Sequence, residues 1–195
     1  MIKMEKDLSY YVKSYDMIPE DKCKEIIEKI ENLDWQMHEF YDVSTGESAP
    51  RSGNQELDVV KLPYSPEYDE VRNYVMQSIW NAYQQYTIDI SFPWWNRWEG
   101  FTEVRFNRYK ETRIMAEHCD HIHSIFDGQN KGIPVMTALG CLNEDYEGGE
   151  FVMFGDTVLP FKAGEIKVFP SVFLYPHRID PVTSGTRYSF VTWAW

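Results

Sequence analysis

The chain has 195 residues, 43% hydrophobic, 26% charged and 16% aromatic, which excludes a disordered polypeptide and suits one domain with a full core. Its 31 Asp and Glu outnumber its 19 Lys and Arg, and the net charge of -12 argues against nucleic-acid binding through general surface charge. No apolar run approaches the roughly 18 residues of a membrane helix, the N-terminal MIKMEKDLSYYV has no apolar stretch of signal-peptide type, and Cys23, Cys119 and Cys141, at unrelated spacings, read as free thiols in a reducing, cytoplasmic setting.

In chain order, the Tyr- and Val-rich residues 9–17 are expected to open as a strand. Residues 19–33 predict a helix: Pro19 suits a first turn, acids follow it, and Cys23, Ile26, Ile27, Ile30 and Leu33 recur at helical spacing. Residues 35–41 read as a strand and the polar 43–56 as a surface loop. A second helix is expected over 66–86, with Val71, Val75, Ile79, Ala82 and Tyr86 on one face. The aromatic patch at 92–98, FPWWNRW, suits either packing between helices and sheet or a recognition platform for a ligand.

From Phe101 the period changes. Eight short segments follow, near 102–109, 115–123, 134–143, 150–154, 157–161, 165–169, 173–179 and 186–194, rich in β-branched and aromatic residues and separated by turn signals. They suggest a sandwich or barrel of antiparallel strands, with the two helices on one outer sheet face. The expected organisation is one domain over 1–195, in which 1–100 supply helical support and extra strands and 101–195 the β core.

Three of the five histidines crowd into residues 117–123, EHCDHIH. Side chains alternate on a strand, so His118 and Asp120 project to one face and His121 and His123 to the other. A third ligand must come from elsewhere, and His177 is the other histidine of the β part. Two His and one carboxylate make the facial triad of non-haem Fe(II) oxygenases, which leaves adjacent positions open for a bidentate cosubstrate and O2. A zinc site from His118, Asp120 and His121 or His123 is an alternative, and a lone His-x-Asp also arises by chance. Arg187 follows His177 by ten residues, across a turn bracketed by Pro181 and Gly185. A buried Arg needs an anionic partner, either an internal acid or the carboxylate of a small cosubstrate held in a two-point grip.

The sequence resembles the Fe(II)/2-oxoglutarate-dependent dioxygenases, in particular the prolyl 4-hydroxylase-like group. Tyr109 stands nine residues before the histidine of His118-Cys119-Asp120, Thr137 lies in VMTALGCLN, residues 146–151 (YEGGEF) match a characteristic turn, and His177 and Arg187 sit within HRIDPVTSGTRYSFVTW. The likeness is strong over about 101–195 and weak before it. Met115 replaces an aromatic usual three residues before the histidine, and Gly140 replaces a Tyr often found near the cosubstrate pocket.

The resemblance implies a double-stranded β-helix, or jelly roll, with supporting N-terminal helices. It implies Fe(II) held by His118, Asp120 and His177, and 2-oxoglutarate held by Arg187 with hydroxyls of Tyr109 and Thr137. O2 would be the second cosubstrate and ascorbate an optional accessory, with succinate and CO2 formed as a substrate C–H is hydroxylated. Prolyl residues of a peptide or protein are the first expectation for substrate; a free amino acid or other small molecule, and a non-catalytic jelly-roll binding module, are the alternatives. Loops 43–56 and 121–132, with Gly128 and Gly132 as hinges and Asp127 on the rim, are the candidate substrate selectors. Nucleic-acid demethylation is disfavoured because Trp193 occupies the position six residues after Arg187 where that group carries a second Arg.

Overall fold

The computed structural model describes residues 7–42, 45–92, 98–120 and 134–195. The whole of loop 121–132, with His121, His123, Asp127, Gly128 and Gly132, and residues 93–97 of the aromatic patch lie outside the described residues.

The chain opens with a 3-10 turn, Leu8–Tyr11, capped by the Asp7 carboxylate, which accepts from the Tyr10 N–H at 3.2 Å. β1 (Lys13–Asp16) follows, so the strand expected over 9–17 begins late. α1 (Glu20–Ile30) carries Glu20 and Asp21 in its first turn and Lys29 in its last, in keeping with the helix dipole, and buries Cys23, Ile26 and Ile30. β2 (Gln36–Met37), β3 (Phe40–Asp42) and β4 (Glu47–Ala49) come next. β3 and β4 form a hairpin, so the polar segment 43–56 is partly a strand. β5 (Asp58–Lys61) precedes α2 (Pro66–Ile90), which starts with Pro66 in the first turn and runs about one turn beyond the expected end.

The remaining strands are β6 (Arg105–Tyr109), β7 (Met115–His118), β8 (Met136–Cys141), β9 (Glu147–Gly148), β10 (Phe151–Met153), β11 (Thr157–Leu159), β12 (Glu165–Pro170), β13 (His177–Ile179), β14 (Val182–Ser184) and β15 (Arg187–Ala194). Antiparallel pairing orders one sheet β1-β12-β8-β15-β6-β5-β2 and a second β11-β10-β13-β7. The eight strands of the jelly roll are β12, β8, β15 and β6 facing β11, β10, β13 and β7, one for each of the eight segments expected after Phe101. β1, β5 and β2 widen the first sheet.

Two apolar layers result. One lies between the helices and the first sheet, from Ile26, Ile30, Val75, Ile79 and Tyr83 to Phe106, Ala138 and Phe190. The other lies between the two sheets and includes Leu139, Phe151, Phe169, Ile179, Val191 and Trp193. Strand alternation makes β15 serve both. Tyr188, Phe190 and Ala194 face the helices while Val191 and Trp193 face the barrel, and all eight residues of β15 are buried. Gly140 of β8 lies on the helix side. A Cβ there would stand 2.0 Å from the Phe190 ring, so that ring fills the space a larger residue would need. Gly140 is therefore a packing adjustment beneath the helices, although the resemblance put it near the cosubstrate pocket.

Candidate active site

β7 and β13 are neighbours in the second sheet, with His118 paired opposite His177 and ring centroids 4.4 Å apart. β7 ends at His118, so Asp120 is not reached by continued strand alternation. The chain nevertheless brings it back to the same point. Asp120 Oδ1 is 3.3 Å from His118 Nε2, and Oδ2 is 3.8 Å from His177 Nε2. One ligand atom from each of these three residues lies within 4.8 Å of the other two.

Backbone carbonyls set the tautomers. His118 Nδ1 is 2.8 Å from the Ala116 carbonyl and His177 Nδ1 is 3.1 Å from that of Tyr175. A carbonyl only accepts, so each Nδ1 donates to it, which leaves each Nε2 as the ring atom available to a metal. Thr137 of β8 donates its hydroxyl hydrogen bond to Asp120 Oδ2 at 2.6 Å and lies 2.8 Å from Ser171 Oγ. The resemblance gives Thr137 to the cosubstrate; here its hydroxyl is taken up by the carboxylate of the triad.

The electrostatics agree with this donor set. Burial pushes the His177 pKa down to about 4, so its imidazole is neutral near pH 7. Burial alone would raise the Asp120 carboxyl, but His177, His118 and the Thr137 hydroxyl together hold it well below the usual carboxylate range. Two imidazoles and one ionised carboxylate on one side of a point are a fitting set for Fe(II). Cys119 turns away, its Sγ 3.3 Å from the Phe173 carbonyl.

The triad opens on a cavity of about 270 Å³ whose lining includes Phe40, Tyr109, Leu139, Phe151 and Trp193. Arg187 lies opposite Tyr109 in the β15–β6 ladder. It is fully buried, and among the described residues no carboxylate is bonded to Nε or the terminal nitrogens; the neutral Tyr146 hydroxyl is the hydrogen-bonding group beside it. The Tyr109 and Phe161 rings flank it at 5.1 and 5.8 Å. Gly149, with φ +66°, brings backbone so close that a Cβ would meet the Arg187 Cδ at 3.2 Å. An isolated buried cation is costly, and among the described residues no acid neutralises it. The site therefore fits an incoming carboxylate. Burial also raises the Tyr109 hydroxyl pKa, so that group stays a neutral donor.

Four site residues were not singled out by the motifs. Tyr146, in the turn before β10, has its hydroxyl pKa raised to about 12 by burial, against the pull of the Arg187 charge. His38 and Arg105 line the cavity, and Ser171 supports Thr137. Arg105 was legible in principle, since 105, 107 and 109 share one face of a strand; nothing in the sequence tied Ser171 or His38 to the triad. In the aromatic patch, Trp98 stacks against Trp80 and Tyr83 of α2 at 5.5 and 5.3 Å, which is a packing role.

Comparison with known proteins gives a consistent picture. Residues 104–195 match the model of the 2OG-Fe(II) oxygenase superfamily. A PKHD-type hydroxylase of Delftia acidovorans is 34% identical over 97 residues, covering 46% of this chain and 41% of its own. Another, from Aliarcobacter butzleri, is 29% identical over 152 residues, covering 73% of this chain and 63% of its own. The match with the first spans about two-fifths of that relative's length. Among solved structures, a Trichoplax adhaerens prolyl hydroxylase in complex with a hypoxia inducible factor peptide fragment superposes with a TM-score of 0.71 at 14% identity, covering 96% of this chain and 84% of that one. A Pseudomonas putida prolyl-4-hydroxylase gives 0.61 at 20% identity, covering 94% and 91%. These structures share the jelly-roll fold.

Proposed function

We propose a function from one premise: residues 104–195 of this chain match the model of the 2OG-Fe(II) oxygenase superfamily. The protein is an oxygenase that uses Fe(II), 2-oxoglutarate and O2 to hydroxylate a substrate C–H, and its substrate is a prolyl residue of a peptide or protein. The observation that carries the chemistry is the meeting of His118, Asp120 and His177 at one point of a cavity. The names of the relatives, PKHD-type hydroxylases, and the peptide bound to a prolyl hydroxylase of the same fold support the substrate class.

His118, Asp120 and His177 would hold the iron. The bound metal supplies the centre at which O2 decarboxylates 2-oxoglutarate to succinate and CO2 and one oxygen atom passes to the substrate. The chain's own part is positional. The Ala116 and Tyr175 carbonyls fix the imidazole tautomers. Thr137, supported by Ser171, fixes the Asp120 carboxylate. Arg187 receives the distal carboxylate of 2-oxoglutarate, and the Tyr109 hydroxyl adds a neutral hydrogen bond. Leu139, Phe151, Ile179 and Val191 give the cavity apolar walls that keep water from the reacting centre.

Residues 1–195 act as one domain in this account. Cys23, Cys119 and Cys141 are free thiols, which supports a cytoplasmic location in the producing or host cell. Among the described residues no helix is long and apolar enough to cross a membrane.

The test is direct. Protein purified without oxygen is given Fe(II), 2-oxoglutarate, ascorbate and air, and succinate is followed with and without proline-containing peptides. Succinate formation that is abolished by His177→Ala, with gain of one oxygen atom on a prolyl residue, is the expected result. An iron-loaded wild type that makes no succinate under any of these conditions overturns the proposal.

A further inference from the structure

The cavity beside the triad has a polar wall that the chemistry above leaves idle. Arg105, Asn107 and Tyr109 alternate on β6 toward the cavity. Arg105 lies over the Trp193 ring at 5.0 Å and donates its Nε–H to Asn107 Oδ1 at 3.1 Å. Among the described residues no carboxylate forms an ion pair with it. Its direct partner across the β5–β6 ladder is Lys61, a second cation on the same wall.

Two further groups there have no partner among the described residues: Trp193 Nε1, which can only donate, and His38 Nδ1, on a residue only 8% exposed. Burial, reinforced by the charges of Arg105, His118 and Arg51, lowers the His38 pKa to about 3, leaving a neutral ring with one N–H to give. Three acids line the cavity, and among the described residues none pairs with Arg105: Asp120 belongs to the triad, Glu39 is exposed at the rim, and Glu103 accepts from the Tyr64 hydroxyl at 3.2 Å through Oε2 while Oε1 lies 3.8 Å from Arg72.

Buried donors left unmet in this way are destabilising. A carboxylate meets the need, since it brings one negative charge and two acceptor oxygens. The cosubstrate cannot supply it while held by Arg187, because six residues of extended β15, about 20 Å, separate Arg187 from Trp193. Resting on the function proposed above, we infer that Arg105, Trp193 and His38 form a carboxylate-binding subsite, and that the substrate carries a carboxylate close to the C–H that is hydroxylated. It is either the α-carboxylate of a C-terminal prolyl residue or an acidic side chain beside the prolyl residue.

Matched acid and amide probes test this. Binding is measured by calorimetry without oxygen, with Mn(II) and saturating 2-oxoglutarate and again without either. One pair is N-acetyl-L-proline and N-acetyl-L-prolinamide; the other is acetyl-Pro-Asp-amide and acetyl-Pro-Asn-amide. The expected result is that the acid of one pair binds about 10–100-fold more tightly than its amide, which also identifies the source of the carboxylate. Arg105→Gln removes the difference, Arg105→Lys keeps part of it, and Trp193→Phe, which retains a ring but no N–H, reduces it. Thermal melting checks that each variant is folded. A wild type that binds acids and amides alike in both pairs overturns the inference without any variant, as does a folded R105Q that keeps the full preference. The affinity for 2-oxoglutarate is measured in R187Q as well. If that affinity does not fall, the proposed cosubstrate grip fails, and the acid-amide comparison made without 2-oxoglutarate still decides the subsite.

Discussion

The Thr137 hydroxyl lies 2.6 Å from Asp120 Oδ2, reaching across from the sheet that holds neither histidine of the triad. The first sheet thereby fixes the orientation of a carboxylate whose neighbours, His118 and His177, belong to the second. Thr137→Val keeps the shape and removes the donor. Its expected effect is a 10–100-fold or so loss in affinity for Fe(II) or Mn(II), the usual cost of deleting an outer-shell partner, with little change in melting temperature of the metal-free protein. Metal titration by calorimetry and thermal melting read the two quantities separately.

Acid should destabilise the metal-free protein through two buried imidazoles. His177 and His38 have pKa values lowered to about 4 and about 3, against about 6.5 in an unfolded chain. Below pH 6.5 the unfolded state therefore binds more protons than the folded state, and stability falls as pH drops. Each histidine adds a slope of up to about 1.4 kcal/mol per pH unit, ending near pH 4 for His177 and near pH 3 for His38. Urea unfolding between pH 7 and pH 4 should show this decline, and His38→Gln should make it shallower.

The two sides of the Arg187–Tyr109 pair should separate in kinetics. Arg187→Lys keeps a charge but loses the planar fork, and the KM for 2-oxoglutarate is expected to rise about 10–100-fold. Tyr109→Phe removes one neutral hydrogen bond, and the expected rise is about 2–10-fold. Succinate assays over a range of 2-oxoglutarate give both numbers. Equal effects would mean that Arg187 acts on this cosubstrate only as part of the packing.

Gly140→Ala tests the layer beneath the helices. The new methyl would stand 2.0 Å from the Phe190 ring, and overpacking of this kind costs about 1–3 kcal/mol. Phe190→Leu opens room, so G140A/F190L should lose less than the sum of the two single changes. Denaturant midpoints decide it.

The eight strands of the jelly roll were readable because each carries its own period-2 or β-branched signature between turn signals. β5, β9 and β14 were not, being two to four residues long and held by pairing with partners distant in sequence. The triad was readable from residue types and spacing, yet the route to it was only half right. Alternation was expected to carry Asp120 to the metal side, whereas the strand stops at His118 and the following turn does so. Of the groups that orient the triad, the Thr137 hydroxyl was marked by a motif but for a different partner, while the Ala116 and Tyr175 carbonyls and the Ser171 hydroxyl left no trace in sequence. Two of these three are backbone atoms, and the third acts on a residue far away in the chain.

β15 is a single thread stitched through both layers of the molecule. Its odd-numbered residues, from Arg187 to Trp193, share the face on which Val191 and Trp193 line the chamber where chemistry would occur, and its even-numbered ones share the face that packs under the helices. Inserting or deleting one residue would exchange the two sets, swinging the Arg187 cation under a helix and an aromatic ring into the chamber. Lineages that diverge toward new substrates can thus exchange side chains along this thread but not change its length, and variation in length is left to the connections at its ends.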